Sequence, residues 1–212
     1  MRTDDLIAHL AEELGPVKPG SVTRLLLVAL AVGLAASAIV MLSVLGPRHH
    51  FAVAITGFGM WVKIAYTFIL AALGFWLVER AGRPGADMLR PAMMLALPVL
   101  VIVSLAALQM AAPGADMHRL VMGQSARVCA VLIVMVAAPS LVAAFWALRQ
   151  LAPTRLGLAG AGAGLFAGSL GAFVYAFHCL EDSAPFVAIW YTLGIALTTA
   201  IGAFAGRWAL RW

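Results

Sequence analysis

The sequence predicts an all-α membrane protein, a bundle of six transmembrane helices with both termini in the cytoplasm and a short amphipathic helix in the N-terminal cytoplasmic tail. Three observations predict this fold. Of the 212 residues, 64% are hydrophobic and 11% are charged, whereas soluble domains carry about 25% charged residues. The apolar residues form six blocks, each long enough to cross a hydrocarbon core of about 30 Å as a helix. Lysine and arginine concentrate in alternate connections between the blocks.

The six blocks define two regions of the chain. Residues 1–23 form a cytoplasmic tail, and residues 24–212 form the transmembrane domain. A helix rises about 1.5 Å per residue, so roughly 20 apolar residues are needed for each crossing. The predicted spans are approximately 25–45, 58–78, 91–112, 128–148, 156–178 and 186–206.

The distribution of basic residues predicts the orientation of the spans. Short cytoplasmic loops are enriched in lysine and arginine. The tail, the second and fourth connections and the C-terminus hold ten such residues: Arg2, Lys18, Arg24, Arg80, Arg83, Arg90, Arg149, Arg155, Arg207 and Arg211. The opposite face holds Arg48, Arg119 and Arg127. Lys63 lies about one turn inside the second span, where its long stem is expected to reach the interface.

The charge and motif content exclude several classes of function. The net charge of +5 follows from this topology and suits anionic lipid headgroups, so we expect no direct binding of nucleic acid. The sequence contains no Ser-His-Asp set, zinc-protease motif or phosphate-binding glycine loop, and we therefore expect no enzyme. Few ionisable groups lie inside the spans, which argues against an ion pump.

Glycines in the last two spans predict close helix packing. Small residues spaced by four positions let helices approach closely in a bilayer. The fifth span carries three at this spacing and the sixth carries two: Gly160, Gly164, Gly168, Gly202 and Gly206. Packing within one bundle is the simpler interpretation, and a homodimer contact stays open.

The two cysteines are predicted to lie together on the outer face. Cys129 lies at the start of the fourth span, and Cys179 lies just past the end of the fifth. An oxidising outer compartment would allow a disulfide, and thiolates also bind soft metals such as zinc or cadmium. We expect no obligatory cofactor. Both cysteines could instead be inert, as buried cysteines often are.

Several candidate metal ligands or supporting groups flank the cysteines. Imidazole and carboxylate groups could complete a ligand set with the two thiolates. These candidates are His178, Glu181 and Asp182 beside Cys179, and His118 on the preceding outer connection.

The tail segment TDDLIAHLAEEL, residues 3–14, is predicted to form an acidic amphipathic helix. Acidic residues suit a helix start, and Gly15-Pro16 ends the pattern. A negatively charged helix is a poor membrane anchor and fits a basic groove on a partner protein better. Its candidate binding residues are Asp4, Asp5, Leu6, Ile7, Leu10, Glu13 and Leu14. The alternative is a solvated leader with no partner.

The opening TDDLIAHLAEELGPV, the six spans and residues 178–191, HCLEDSAPFVAIWY, resemble the negative-regulator-of-sigma-F (NrsF-like) family of bacterial membrane anti-sigma factors. The resemblance implies a multi-pass protein of the bacterial inner membrane that holds an extracytoplasmic-function sigma factor inactive. It also implies that Cys129 and Cys179 sense metal or oxidative stress and that Asp4 and Asp5 belong to the sigma-binding segment.

These expectations combine into one hypothesis and two rivals. Oxidation or metal capture at the thiols would shift the fourth span against the fifth, and their inner ends near Arg149 and Arg155 would then change the grip on the sigma factor. One rival is a small metal-handling transporter that uses the same thiols. The other is a structural subunit of a larger complex.

Overall fold

The computed structural model describes residues 3, 20–48, 51–83 and 85–211, and within these ranges every regular element is a helix. Six helices are long and apolar enough to cross a membrane, which confirms the predicted all-α class and the number of candidate spans. They are α1 Ser21–Leu45, α2 Phe58–Ala81, α3 Leu89–Met110, α4 Ala126–Arg149, α5 Leu156–Tyr175 and α6 Ala184–Ala209. Short helices at Phe51–Ala54 and Met117–Met122 precede α2 and α4.

Three of the long helices contain irregular turns, and α1 ends in one of them, a π-helical segment at Met41–Leu45. In α3 the regular helix is interrupted at Leu95, between the segments Leu89–Met94 and Ala96–Met110. Pro98 lies just beyond the break and has no N–H to donate to the carbonyl of Met94. In α6 the residues Val187–Tyr191 form a π-helical turn, an irregularity that is frequent at functional sites.

Helix α5 is the centre of the bundle. In its most apolar stretch 72% of the residues are buried, against 22–44% in the other five helices. It packs against α2, α4 and α6, while α1 packs mainly on α4. The sequence of α5, LGLAGAGAGLFAGSLGAFVY, explains this position because glycine and alanine let neighbouring backbones approach on several sides.

The predicted glycine stripe of α5 lies directly against α6. A Cβ atom added to Gly160 would overlap the backbone oxygen of Gly202, and one added to Gly164 would overlap that of Thr198. Gly168 faces Ile195 and Thr198, and Gly206 faces Gly160. These five glycines therefore lie where two helices of the same chain come into close contact.

The perimeter of the bundle is apolar. Large hydrophobic side chains that point outward include Ile39 of α1, Leu97 of α3, Val142 of α4 and Phe204 of α6, each more than 60% exposed. Soluble monomers rarely expose apolar surface on this scale. The exposed side chains are therefore of the kind that lipid tails would cover.

The helices alternate in direction, so the bundle has two distinct ends. At the end called here the termini end, Thr23 near the start of α1 donates a hydrogen bond to Glu79 of α2 (2.7 Å), and the end of α6 adjoins the start of α5. At the other, the cysteine end, the amide of Arg48 after α1 donates to the carbonyl of Phe177 after α5 (3.0 Å).

Candidate functional site

The two thiols meet at the cysteine end. Cys129 lies in the first turn of α4, and its amide donates to the carbonyl of Ser125 (2.9 Å). Cys179 lies four residues beyond α5, and its amide donates to the carbonyl of Tyr175 (3.0 Å). Both cysteines are free and buried, and they pack in the same buried cluster, where their side chains are close enough to interact. The structure thus brings the two predicted sensor residues into contact.

Two tyrosines enclose the thiols. Tyr175 of α5 and Tyr191 at the end of the π turn are buried, with ring centroids 5.9 Å apart. Both hydroxyl groups lie near the cysteine sulfurs. The hydroxyl of Tyr191 has no partner of good hydrogen-bond geometry among the described residues. The two aromatic rings therefore enclose the thiols, and the Tyr191 hydroxyl beside Cys179 makes no hydrogen bond with the described residues.

A buried lysine holds the segment that carries Cys179. The ammonium of Lys63 in α2 donates to the carbonyls of Cys179 (3.1 Å) and Glu181 (2.9 Å) and to the Asp182 carboxylate (2.8 Å). Its side chain is fully buried. The Lys63 ammonium thus reaches the connection beyond the end of α5, where protein groups enclose it. Three acceptors inside the fold satisfy its three donors, and burial of an ammonium requires such pairing.

Arg48 completes this network from the other side. Its guanidinium donates to both carboxylate oxygens of Asp182 at 3.1–3.2 Å, and its Nη1 also lies 3.7 Å from the Met60 sulfur. The Arg48 side chain is only 8% exposed. Asp182 therefore bridges two buried cations that come from the end of α1 and from α2. This bridge fixes the segment between α5 and α6.

The electrostatics of the cluster favour ionisation of Cys179. The hydrogen bond from Cys129 and the positive charge of Lys63 lower the pKa of the Cys179 thiol below its usual value, against the opposing effect of burial. The thiolate is the reactive form of cysteine toward oxidants and metals. A larger fraction of Cys179 is therefore ionised at neutral pH than of an ordinary free cysteine.

A cavity of about 210 Å³ opens onto this site. The polar groups that line it include Arg48, Ser125, His178 and Glu181, and Tyr175 and Cys179 form part of its wall. Cys129 does not line it. The two thiols are therefore unequal, because only Cys179 faces a space that a small molecule could occupy.

His178 and Glu181, two of the other predicted metal ligands, have hydrogen-bond partners of their own at the cysteine end. Nδ1 of His178 lies 2.9 Å from the carbonyl oxygen of Gly46, and Glu181 accepts from the amide of Gln124 (2.7 Å). His118 and Glu181 line a neighbouring cavity. Within the described ranges no three His, Cys, Asp or Glu side chains form a group that could hold a metal ion. The metal site stays a prediction.

A basic cavity of about 600 Å³ lies at the termini end. Its charged lining consists of Arg80, Arg83, Arg155 and Asp87. Arg83 pairs with Glu79 (2.7 Å) and reaches Thr23 (3.5 Å), so the cavity adjoins the start of α1. The predicted sigma-binding residues Asp4, Asp5, Leu6, Ile7, Leu10, Glu13 and Leu14 lie outside the described residues.

Sequence reasoning missed the roles of Lys63, Arg48, Tyr175 and Tyr191. A charged residue inside a span usually marks a functional site, and this rule alone could have drawn attention to Lys63. Tyr191 belongs to the HCLEDSAPFVAIWY segment, but its spacing does not indicate contact with Cys179. Cys179 lies on the other side of the connection between α5 and α6, and local patterns do not encode such contacts.

Comparison with known proteins identifies the family. The family model described as "Negative regulator of sigma F" matches residues 10–212. The chain is 40% identical to the anti-sigma-F factor NrsF of Caulobacter vibrioides and 37% identical to the probable anti-sigma-F factor NrsF of Azospira oryzae, with full coverage of each chain. No solved structure matches. This chain therefore belongs to the negative-regulator-of-sigma-F family, a family of regulators that act on a sigma factor.

Proposed function

We propose that this protein is a multi-pass anti-sigma factor of the bacterial inner membrane that binds an extracytoplasmic-function sigma factor at its cytoplasmic face. The family supports a negative regulator of a sigma factor. The six apolar helices and their exposed apolar perimeter support a membrane location. The excess of arginine at the termini end supports a cytoplasmic position for that end.

The proposed stimulus is oxidation or soft-metal capture at Cys129 and Cys179. The observation that carries this proposal is the contact between the only two thiols of the chain, at the end of the bundle opposite the termini. In the proposed orientation that end faces the periplasm, where disulfides persist. The thiols therefore lie where an external stress arrives, and the tail lies where a sigma factor is available.

The proposed response is a shift between two states of the bundle. A disulfide would link the start of α4 to the segment after α5, and a metal bridge would have a similar effect. The displacement would reach Arg149 and Arg155 at the other ends of these helices. Moving a population from 1:99 to 99:1 requires about 5.5 kcal/mol of difference between the states, so the disulfide or metal bridge must favour the released state over the bound state by about that amount.

Replacement of the thiols tests the sensor. The full chain would be co-purified with sigma factors encoded nearby, before and after exposure to oxidant or cadmium. We expect Cys129→Ser and Cys179→Ser to retain the sigma factor and to keep it after the stimulus, whereas the native chain releases it. Ser169→Ala, a change in a buried hydroxyl of α5, is the control. Release from both cysteine variants at the native level would refute the sensor.

Deletion of residues 1–15 tests the binding segment separately. We expect this variant to insert in the membrane and to lose the sigma factor without any stimulus. The acidic residues of the tail would contact a basic surface of the partner, so Asp4→Asn with Asp5→Asn should weaken binding in a salt-dependent way. Full retention of the sigma factor by the deletion variant would exclude the tail as the main contact.

A further inference from the structure

The basic cavity at the termini end carries more positive charge than the groups around it neutralise. Three guanidinium groups and one carboxylate line it: Arg80, Arg83, Arg155 and Asp87. Arg83 is paired with Glu79. Among the residues that the structure describes, Arg80 and Arg155 form no ion pair, and the Asp87 carboxylate accepts the amide of Leu89 (2.8 Å). Two of the lining cations are therefore available to an anion in this space.

Each of these two arginines is placed at the cavity by the helix beside it. Arg80 lies in the last turn of α2, and its guanidinium carbon is 5.8 Å from the ring centre of Trp76, one turn earlier. Arg155 directly precedes α5, and its carbonyl accepts the amide of Ala159 (2.9 Å). No side chain caps α5 at this point, so the partial positive charge of the helix start adds to that of Arg155. Both arginines therefore favour a negatively charged ligand.

The cavity lies at the level where the apolar helices end. Arg80 is one residue before the end of α2, Leu89 is the first residue of α3, and Arg155 precedes the first residue of α5. In a bilayer the ends of apolar spans lie in the headgroup region. Basic pockets between spans on the cytoplasmic side bind anionic lipid headgroups in other membrane proteins. The position of this cavity therefore gives a lipid phosphate direct access to it.

An apolar track on the outside of α3 begins at this cavity. Leu89 lines the cavity, and Met93, Leu97 and Leu100 follow at spacings of four, four and three residues. All four side chains are more than 60% exposed, and their spacing places them on one side of the helix. Leu97 also lines a groove of about 230 Å³ between α2 and α3, whose lining is apolar apart from Tyr66. A molecule with its phosphate in the cavity can therefore lay an acyl chain along α3.

We propose that the basic cavity binds the phosphate of an anionic glycerophospholipid, with Arg80 and Arg155 as its cationic partners and one acyl chain along the outside of α3. A cavity of about 600 Å³ has room for a phosphate and its glycerol. A protein helix is about 10–12 Å wide with its side chains, so it would lie across the opening and not inside. The bound lipid would join the end of α2 to the start of α5. This inference uses the proposed membrane location and is independent of the thiol sensor.

A comparison of two lipids tests the ligand. Native mass spectrometry of the full chain purified in detergent would measure the affinity for phosphatidylglycerol and for phosphatidylcholine with the same acyl chains. Phosphatidylcholine carries the same phosphate with a compensating cation. We expect phosphatidylglycerol to bind about fivefold more tightly, the effect of one net charge beside basic side chains at the membrane surface. Equal affinities for the two lipids would overturn the proposal.

Variants of the two arginines locate the site. Arg80→Gln and Arg155→Gln should each weaken phosphatidylglycerol binding about fivefold, because each removes one positive charge beside the headgroup. Phosphatidylcholine binding should change much less. Arg207→Gln is the matched control, since Arg207 is an exposed arginine in the last turn of α6 at the same end and does not line the cavity. A loss of affinity as large in this control as in the cavity variants would indicate a general charge effect and refute the site.

Two further measurements test the other possible occupants. Inorganic phosphate in large excess over the lipid should leave phosphatidylglycerol bound, because it lacks the acyl chain. Complete displacement would reassign the cavity to free phosphate. Deletion of residues 1–15 should leave the affinity for phosphatidylglycerol unchanged. If the lipid binds only after this deletion, the acidic tail occupies the cavity in the native chain, and the lipid proposal is overturned.

The outcomes separate this inference from the proposed function. If the chain shows no preference for phosphatidylglycerol while the sigma factor still co-purifies and is released by the stimulus, the lipid site alone is refuted. If the lipid binds as expected and no sigma factor co-purifies, the lipid site stands and the proposed function fails.

Discussion

Replacing Lys63 with methionine should loosen the segment that carries Cys179. Methionine keeps the length and most of the apolar stem, so the change removes the charge and its three hydrogen bonds without opening a large cavity. The carbonyls of Cys179 and Glu181 would each lose a donor. Asp182 would keep its bidentate contact with Arg48.

The size of the effect follows from these contacts. A buried acceptor left without a partner costs about 1–3 kcal/mol, and the Cys179 carbonyl is the more buried of the two. The Asp182 side chain is 30% exposed, so loss of its ion pair adds only about 0–1 kcal/mol. We therefore expect Lys63→Met to lower the free energy of unfolding by about 2–5 kcal/mol, which the native fold should survive.

Two measurements check this prediction. The thermal midpoint of the purified chain in detergent should fall, and the rate at which iodoacetamide alkylates Cys179 at neutral pH should also fall, since the ammonium no longer stabilises the thiolate. Thr67→Val is the matched control, because Thr67 is buried one turn away and bonds only to carbonyls of its own helix. A thermal midpoint and an alkylation rate equal to those of this control would refute the role of Lys63 in holding the segment that carries Cys179.

A double-mutant cycle sharpens the test. Asp182→Asn alone leaves the fully buried ammonium without a carboxylate partner, a change that costs about 3–5 kcal/mol for a buried pair. Adding Lys63→Met removes that unpaired charge. The double variant should therefore be more stable than the sum of the two single losses predicts, by at least about 1 kcal/mol. Additive losses would mean that the two residues act independently.

The remaining predictions concern the thiol and the helix seam. The lowered pKa of Cys179 means that its alkylation rate should remain high to a lower pH than that of a free cysteine, and should fall as the pH drops through that pKa. Cys129→Ala removes the neighbouring thiol and should raise the pH at which the alkylation rate of Cys179 is half its maximum. An unchanged pH of half-maximal rate would contradict the contact between the two thiols. Gly164→Val should destabilise the α5–α6 seam by about 1–3 kcal/mol through overlap with Thr198. Gly157→Ala, whose Cβ has ordinary contacts, should leave the thermal midpoint almost unchanged. Equal thermal midpoints for Gly164→Val and Gly157→Ala would refute a close contact between α5 and α6 at Gly164.

The sequence predicted the helices well because their determinants are local. Six apolar blocks and their flanking arginines indicate the spans without any knowledge of tertiary contacts. The glycines of α5 indicated a close contact, and the alternation of spans indicated that Cys129 and Cys179 share one end. Each inference used either the spacing of residues along one helix or the fact that successive spans run in opposite directions. Both can be read from the sequence alone.

The contacts of the site were not predictable in the same way. Lys63 and Asp182 are far apart in the chain, and no periodic pattern links them. A lysine near a span end was expected to extend toward the interface, but its partners there, two carbonyls and a carboxylate of the segment after α5, were not indicated by the sequence. The tyrosines beside the thiols come from two different helices. Such long-range pairings depend on how the helices are arranged, which hydropathy does not specify.

The two cysteines belong to two differently connected parts of the bundle, and this arrangement suits a switch. Cys129 is in α4, which is tied to α1 by a buried hydrogen bond of 2.8 Å between Ser37 and Ser140. Cys179 follows α5, which is joined to α6 along the glycine seam. A bond between the sulfurs would therefore draw the α1–α4 pair toward the α5–α6 pair at the cysteine end, across the direct contact of α4 with α5. Because α1 follows the N-terminal tail in the sequence, a movement of the α1–α4 pair would displace the point at which the proposed sigma-binding segment joins the bundle.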